Sequence, residues 1–396
     1  MAYQKFKADY LFTGTEMLYR KYVLITDEQG VVKDVVESKD AGDDVQTFEG
    51  ILTPGFINCH CHLELSLMKN VIPNRTGLVD FLLKVVQQRG ATEEAIYDAM
   101  RNAEQEMYNG GIVAVGDIGN TAHSLPIKLK SKMHWYNFVE VLGFTEDRAE
   151  EVIKPYLDVQ EQFIQSGSGN LQTSLVPHAP YTISNKMFRL INDASAAKVI
   201  SVHNQECAAE DELYKTKSGD FFRLLDFLKV DTSFFQASGK SSLQTYFPLL
   251  NKAEHVLLIH NSFMQQEDID FVKRETPVQQ QVFICLCANA NLYIEGRMPP
   301  VNLFRQNNCV IVLGTDSYSS NWSLSILDEM RRIQHESAFS IPTEEILKWA
   351  TYNGAKALKL EDKFGSFEKG KQPAVVLIDH TVNSSITSKS TARRLI

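Results

Sequence analysis

Eight short apolar runs, each followed by a polar turn and separated from the next by a longer stretch, constrain this chain more than any other feature. They are ILTPGFINCH (51–60), GIVAVGDIG (111–119), MHWYNFVEVLG (133–143), LQTSLVPHAP (171–180), VISVHNQE (199–206), HVLLIHNS (255–262), VFICLCAN (282–289) and CVIVLGTDS (309–317). Continuous apolar runs of this length read as strands buried on both faces. The stretches between them carry helical patterns, as in TEEAIYDAMRNAEQEMYNG, with Thr92 as N-cap and Gly110 as stop. Strands alternating with helices make an α/β protein with a parallel sheet, and eight such units predict a (β/α)8 TIM barrel over residues 52–365. The first 51 residues differ: KADYLFTG and EMLYRKYVLITDEQGVVKDVVES alternate apolar and polar positions around the turn DEQG. GSFEKGKQPAVVLIDH, near the other end, returns to strand character. Residues 1–51 and 366–396 are therefore expected to form one small β-sandwich domain beside the barrel.

The histidines are not scattered. Of ten, five follow or close an apolar run: His60, His62, His178, His203 and His260. Asp316 closes the last run, and Glu206 lies three residues beyond His203. In a barrel, the C-terminal strand ends open onto one mouth, where active sites sit. His60 and His62 share a strand face by the period of two, which turns Cys59 and Cys61 to the other. The bland alternative for each histidine is a core residue bonded to a nearby carbonyl. Three imidazoles and a carboxylate suit a borderline divalent cation such as zinc, with one position open for water. Such an ion brings the pKa of bound water to about 7, and Glu206 is placed to move that proton.

Composition narrows the class. The chain has 396 residues, 44% hydrophobic and 22% charged, with net charge −9. That length exceeds a single small core. The acidic balance, with no basic cluster longer than KLKSK (128–132), argues against nucleic acid as partner. No apolar run approaches the roughly 20 residues of a membrane span, and MAYQKFKADYLFTG lacks the pattern of a signal peptide. The six cysteines, several of them in strand-like runs, read as reduced thiols of a cytoplasmic protein. A homodimer is the default assembly.

Five motifs in order, TPGFINCHCHLELS, VPHAPYTIS, SVHNQECAAEDE, LLIHNSF and VLGTDSYSSNWSLSILDEMR, resemble the amidohydrolase superfamily, closest to its cytosine deaminase and chlorohydrolase-like branch. The resemblance covers nearly the whole chain, including GSFEKGK near the end. It implies one metal ion held by His60, His62, His203 and Asp316: zinc first, with iron or manganese as alternatives. It implies that Glu206 moves a proton from water to a substrate nitrogen, with Asp316 also at the catalytic centre. His260 would polarise the substrate or orient the nucleophile, and His178 would line the pocket. Two departures stand out: QPAVVLID replaces the family's usual Ala-Asp pair, and Ala290 stands where serine is common.

Glu64 and Arg297 are further substrate-binding candidates, although solvent-facing salt bridges explain them equally well. Asp117 reads as a supporting acceptor or a loop cap. Tyr318 and Trp322 read as ring-stacking or core residues. The resulting expectation is a hydrolytic deaminase of a small aminated purine-like or nucleoside-derived heterocycle, with an aminodeoxyfutalosine-type nucleoside as one candidate. A chlorohydrolase or N-dealkylating enzyme acting on a triazine-like ring would use the same site. A non-catalytic scaffold of the same fold is the alternative from another class, and the full set of candidate ligands argues against it.

Overall fold

The computed structural model describes residues 3–88, 90–233 and 235–396. Its centre is eight strands: β1 (Phe56–Cys61), β2 (Ile112–Gly119), β3 (His134–Val141), β4 (Leu171–Pro177), β5 (Val199–Asn204), β6 (His255–His260), β7 (Gln281–Leu286) and β8 (Val310–Leu313). They pair in parallel as two halves, β4-β3-β2-β1 and β5-β6-β7-β8. The halves meet at both edges. The His203 N–H donates to the His178 carbonyl (3.0 Å), and the N–H groups of Thr315 and Asp316 both donate to the His60 carbonyl (3.0 and 2.9 Å).

The strands are as apolar as they read because both faces are covered: every residue of β1, β2, β5 and β6 is buried. One apolar core joins the strands to the surrounding helices, including Met100, Ala103 and Met107 of helix Glu93–Asn109. That helix starts where the sequence predicts, since the Thr92 hydroxyl accepts from the Ala95 N–H (3.3 Å). The strands are shorter than the apolar runs. β8 stops at Leu313 and β4 at Pro177, so His178, Glu206 and Asp316 stand in loops just past strand ends.

Two further sheets come from the termini. One orders Val32–Glu37, Tyr22–Asp27, Tyr3–Lys7 and Gln46–Thr47. The other orders Ala392–Arg394, Val376–Ile378, Ile51–Thr53, Tyr10–Phe12 and Met17–Tyr19. The turn DEQG is built as read, with Asp27 Oδ1 accepting the N–H groups of Gln29 and Val31 (3.0 and 2.9 Å). Both sheets feed one apolar cluster that includes Phe6, Leu11, Leu24, Leu52 and Leu377. Among the described residues, no helix is long and apolar enough to cross a membrane.

Candidate metal and catalytic site

The side chains singled out at the strand ends converge. His60 Nε2 lies 3.2 Å from His62 Nε2, which lies 3.3 Å from His203 Nε2. Asp316 Oδ1 approaches His60 Nε2 and His62 Nε2 at 3.5 and 3.3 Å. The Cys59 thiol instead turns to the Gly354 carbonyl. Glycine at 314 permits the approach of β8 to β1, because a Cβ there would lie 2.7 Å from His60 Cβ and 3.0 Å from Cys285 Sγ.

The electrostatics test whether a cation fits. Burial drives the imidazoles of His60, His62 and His203 below their ordinary value, so all three are neutral at pH 7. His203 donates Nδ1–H to the His178 carbonyl (2.7 Å), which leaves its Nε2 as a bare lone pair. Burial acts to raise the Asp316 carboxyl, but it stays below the ordinary range, with the Ser320 hydroxyl donating to it. Lone pairs and one carboxylate thus crowd a small buried volume, with ligand atoms of the three histidines all within 4.8 Å of one another. A positive ion relieves that repulsion, and an N3O donor set fits zinc or another first-row dication.

The surroundings fix these groups. Asp117 Oδ1 accepts the N–H of Leu63, the residue after His62 (2.8 Å), and its other oxygen takes the buried Lys128 ammonium at 2.6 Å. Ser320 donates to Asp316 Oδ2 (2.6 Å). Asn321 donates to the Thr315 carbonyl and to Glu329, which also receives the Asn289 N–H. Four non-glycine residues here take left-handed backbone: Gln205 (φ 43°), His260 (φ 69°), Asn261 (φ 58°) and Asp316 (φ 57°). Such conformations cost of order 1–3 kcal/mol each and persist where neighbours enforce them.

Glu206 and His260 form a second layer, with His260 Nε2 3.6 Å from Glu206 Oε1. Burial first, then the carboxylates of Asp316, Glu295 and Glu210, raise the Glu206 carboxyl well above the ordinary range. Burial pushes His260 down to about 3. With Asn291 Nδ2 donating toward its Nδ1 (3.4 Å), neutral His260 carries its proton on Nε2, toward Glu206.

One cavity is lined by His62, His178, His203, Glu206, His260 and Asp316 together with Glu140. Much of its remaining wall is apolar: Leu78, Phe81, Leu82 and Val85 of helix Leu78–Gln88, Leu224 of helix Phe221–Phe227, and Leu228 just beyond it. The two helices are tied by Arg223 to Asp80 (2.6 Å). Glu64 and Arg297 are not among the lining side chains. Glu64 accepts from the Thr121 hydroxyl (2.6 Å), and Arg297 lies over the Phe263 ring. Tyr318 is buried and bonded to Glu106, and Trp322 packs edge-on to Tyr293. Sequence reasoning missed the apolar helices and Glu140. A lone carboxylate inside the apolar run NFVEVLG was the available signal for Glu140, which lies 3.7 Å from His203 Nδ1.

The family model described as Amidohydrolase family matches residues 51–394. The adenosine deaminase of Helicobacter pylori is 28% identical over 335 residues, 83% of this chain and 78% of that one. Among solved structures, Helicobacter pylori aminofutalosine deaminase in complex with methylthio-coformycin superposes with a TM-score of 0.81 at 22% identity, covering 99% of this chain and all of that one. A zinc-bound adenosine deaminase from Xanthomonas campestris gives 0.71 at 20% identity, covering 98% of this chain and 89% of that one.

Proposed function

The chain belongs to the amidohydrolase family, and from that premise we propose that it is a hydrolytic deaminase of a purine nucleoside derivative. One observation carries the reading: His62 Nε2 lies 3.2–3.3 Å from ligand atoms of His60, His203 and Asp316, and His62, His203 and Asp316 line one cavity with Glu206 and His260. Similarity to the adenosine deaminase of Helicobacter pylori supports the nucleoside. The apolar wall supports a substrate that bears a non-polar substituent away from the reacting base.

His60, His62, His203 and Asp316 hold one divalent ion, for which the zinc-bound relative favours zinc. When bound, that ion acidifies a water molecule to a pKa of about 7. In the reaction, water adds to the ring carbon bearing the amine, a ring nitrogen takes a proton, and the amine leaves as ammonia. Glu206 takes one proton from the water and gives it to the ring nitrogen, then takes the second from the hydroxyl added to the carbon and gives it to the departing amine, so that the C–N bond breaks and a carbonyl remains. His260, with its proton on Nε2, orients the attacking oxygen, and His178 contacts the heterocycle. The eight strands close into a barrel over 52–365, with 1–51 and 366–396 as a small β-sandwich domain. A cytoplasmic homodimer completes the reading.

The test is ammonia release from adenosine, 5′-deoxyadenosine and 5′-alkylthio adenosines, with guanine, a pterin and a chlorinated triazine alongside, run on protein whose metal content has been measured. We expect deamination of the nucleosides by protein holding about one zinc per chain. Silence on the nucleosides with chloride release from the triazine would reverse the reading. Metal-free, inactive protein would point to a scaffold.

A further inference from the structure

Gln205 precedes Glu206, is fully buried, and sits at φ 43°. Each of its polar groups is held from a different direction. Its N–H donates to Glu210 Oε1 (3.0 Å), its carbonyl accepts the Phe263 N–H (3.0 Å), its side-chain Nε2 donates to Asp268 Oδ2 (2.9 Å) and Asp211 Oδ1 (3.4 Å), and its Oε1 accepts from Asn204 Nδ2 (3.5 Å). The clamp is itself braced. Ser242 donates to Glu210 Oε1. Ser241 and Gln244 donate to Asp268 Oδ1 (2.6 and 2.9 Å), and the Gln265 N–H donates to Asp268 Oδ2 (3.1 Å). Helices Ala208–Thr216, Ser242–Tyr246 and Gln266–Glu275 therefore all bear on one residue.

Core polar networks can serve stability alone, but this one forces a left-handed residue immediately before the group that moves the proton. We propose that Glu210 and Asp268 are positioning residues: they touch no substrate, but they hold Gln205 left-handed and so aim the Glu206 carboxyl at the reacting atoms. The inference rests on the reading of Glu206 as proton carrier. Without the clamp, residue 205 relaxes toward negative φ, which rotates the peptide that carries Glu206. Misplacement of a reacting group by about 1 Å costs about 10²-fold in rate.

Glu210 is required as an acceptor, not as a charge. Its Oε1 receives both hydrogen bonds, and its Oε2 has no hydrogen-bond partner among the described residues. Glutamine reproduces that acceptor and leucine does not. The experiment measures kcat, KM and bound metal for Glu210→Gln, Glu210→Leu and, as control, Glu206→Gln. Glu210→Gln is expected to stay within about threefold of the parent kcat, whereas Glu210→Leu loses about 10- to 100-fold, with KM and metal content unchanged. Normal kcat in Glu210→Leu overturns the proposal, as does an equal loss in both Glu210 variants, or a loss that follows bound metal. If Glu210→Leu does not fold, Gln205→Leu removes the side-chain amide that donates to Asp268 and Asp211 and accepts from Asn204; about tenfold lower kcat supports the clamp, and unchanged kcat overturns it. The control separates the two levels. A fully active Glu206→Gln would sink the proton-carrier reading, whereas an inactive Glu206→Gln beside an active Glu210→Leu would sink this inference alone.

Discussion

A carboxyl buried beside a neutral imidazole binds a proton more readily than a solvent-facing one, as a proton carrier must, and Glu206 stands in that position 3.6 Å from His260. Glu206→Gln preserves the shape and removes the exchangeable proton. We expect kcat to fall by about 10²–10⁴-fold with bound metal and KM retained, measured by steady-state kinetics beside metal analysis. These two residues were legible because strand ends are legible: an apolar run that stops on His or Glu names its own location. The residues that hold them were not. Asp117 spans the Leu63 N–H and the Lys128 ammonium, yet nothing in the order of residues says which lysine meets which carboxylate. Glu210 had the same disguise, in a run of acidic residues that reads as a solvated face.

At the scale of elements, the helices Leu78–Gln88 and Phe221–Phe227 give the cavity its apolar wall and pack within their own cluster, which includes Phe81, Val85, Phe221 and Leu224 and is distinct from the main core. Their apolar faces read in sequence as ordinary packing, because the partner they cover is a cavity and not another helix. Leu82→Asp puts a charge on that wall without altering His60, His62, His203 or Asp316. We expect kcat/KM for a 5′-alkylthio adenosine to drop about 10–100-fold while metal content holds. An unchanged preference for apolar over polar 5′ substituents would remove the wall from substrate recognition. The strands argue a second case. Gly314→Ala would bring a Cβ to 2.7 Å from His60 Cβ, and overpacking of this kind costs about 1–3 kcal/mol. The expected result is a lower urea midpoint together with weaker metal retention, since the displaced strand leads into Asp316. An alanine variant as stable and as metal-replete as the parent would show that β8 can shift without cost.

Across the whole molecule, the count of eight runs and the strand character of both termini could be read from sequence, because each depends on local pattern. That Ile51–Thr53 is the partner of Val376–Ile378 could not, because ILTPGFINCH reads as one continuous run and the chain divides it at Pro54-Gly55 between the terminal sheet and β1. A similar long-range contact sets a pH dependence. His134, at the start of β3, lies 2.8 Å from the Lys363 ammonium, which donates to its Nε2. Burial first, and then the lysine charge, push this imidazole down to about 4. In the unfolded chain it titrates near its ordinary value of about 6.5. Between those two values the unfolded chain binds the additional proton, so stability is full above about pH 6.5 and falls as the pH drops toward 4. His134→Gln keeps an acceptor for Lys363 and removes the titration. Urea unfolding at pH 7 and pH 5 should therefore show a smaller loss of unfolding free energy in the variant than in the parent. Equal losses would mean that the acid sensitivity originates elsewhere, and that the contact between β3 and the segment leading to the C-terminal strands is neutral to pH.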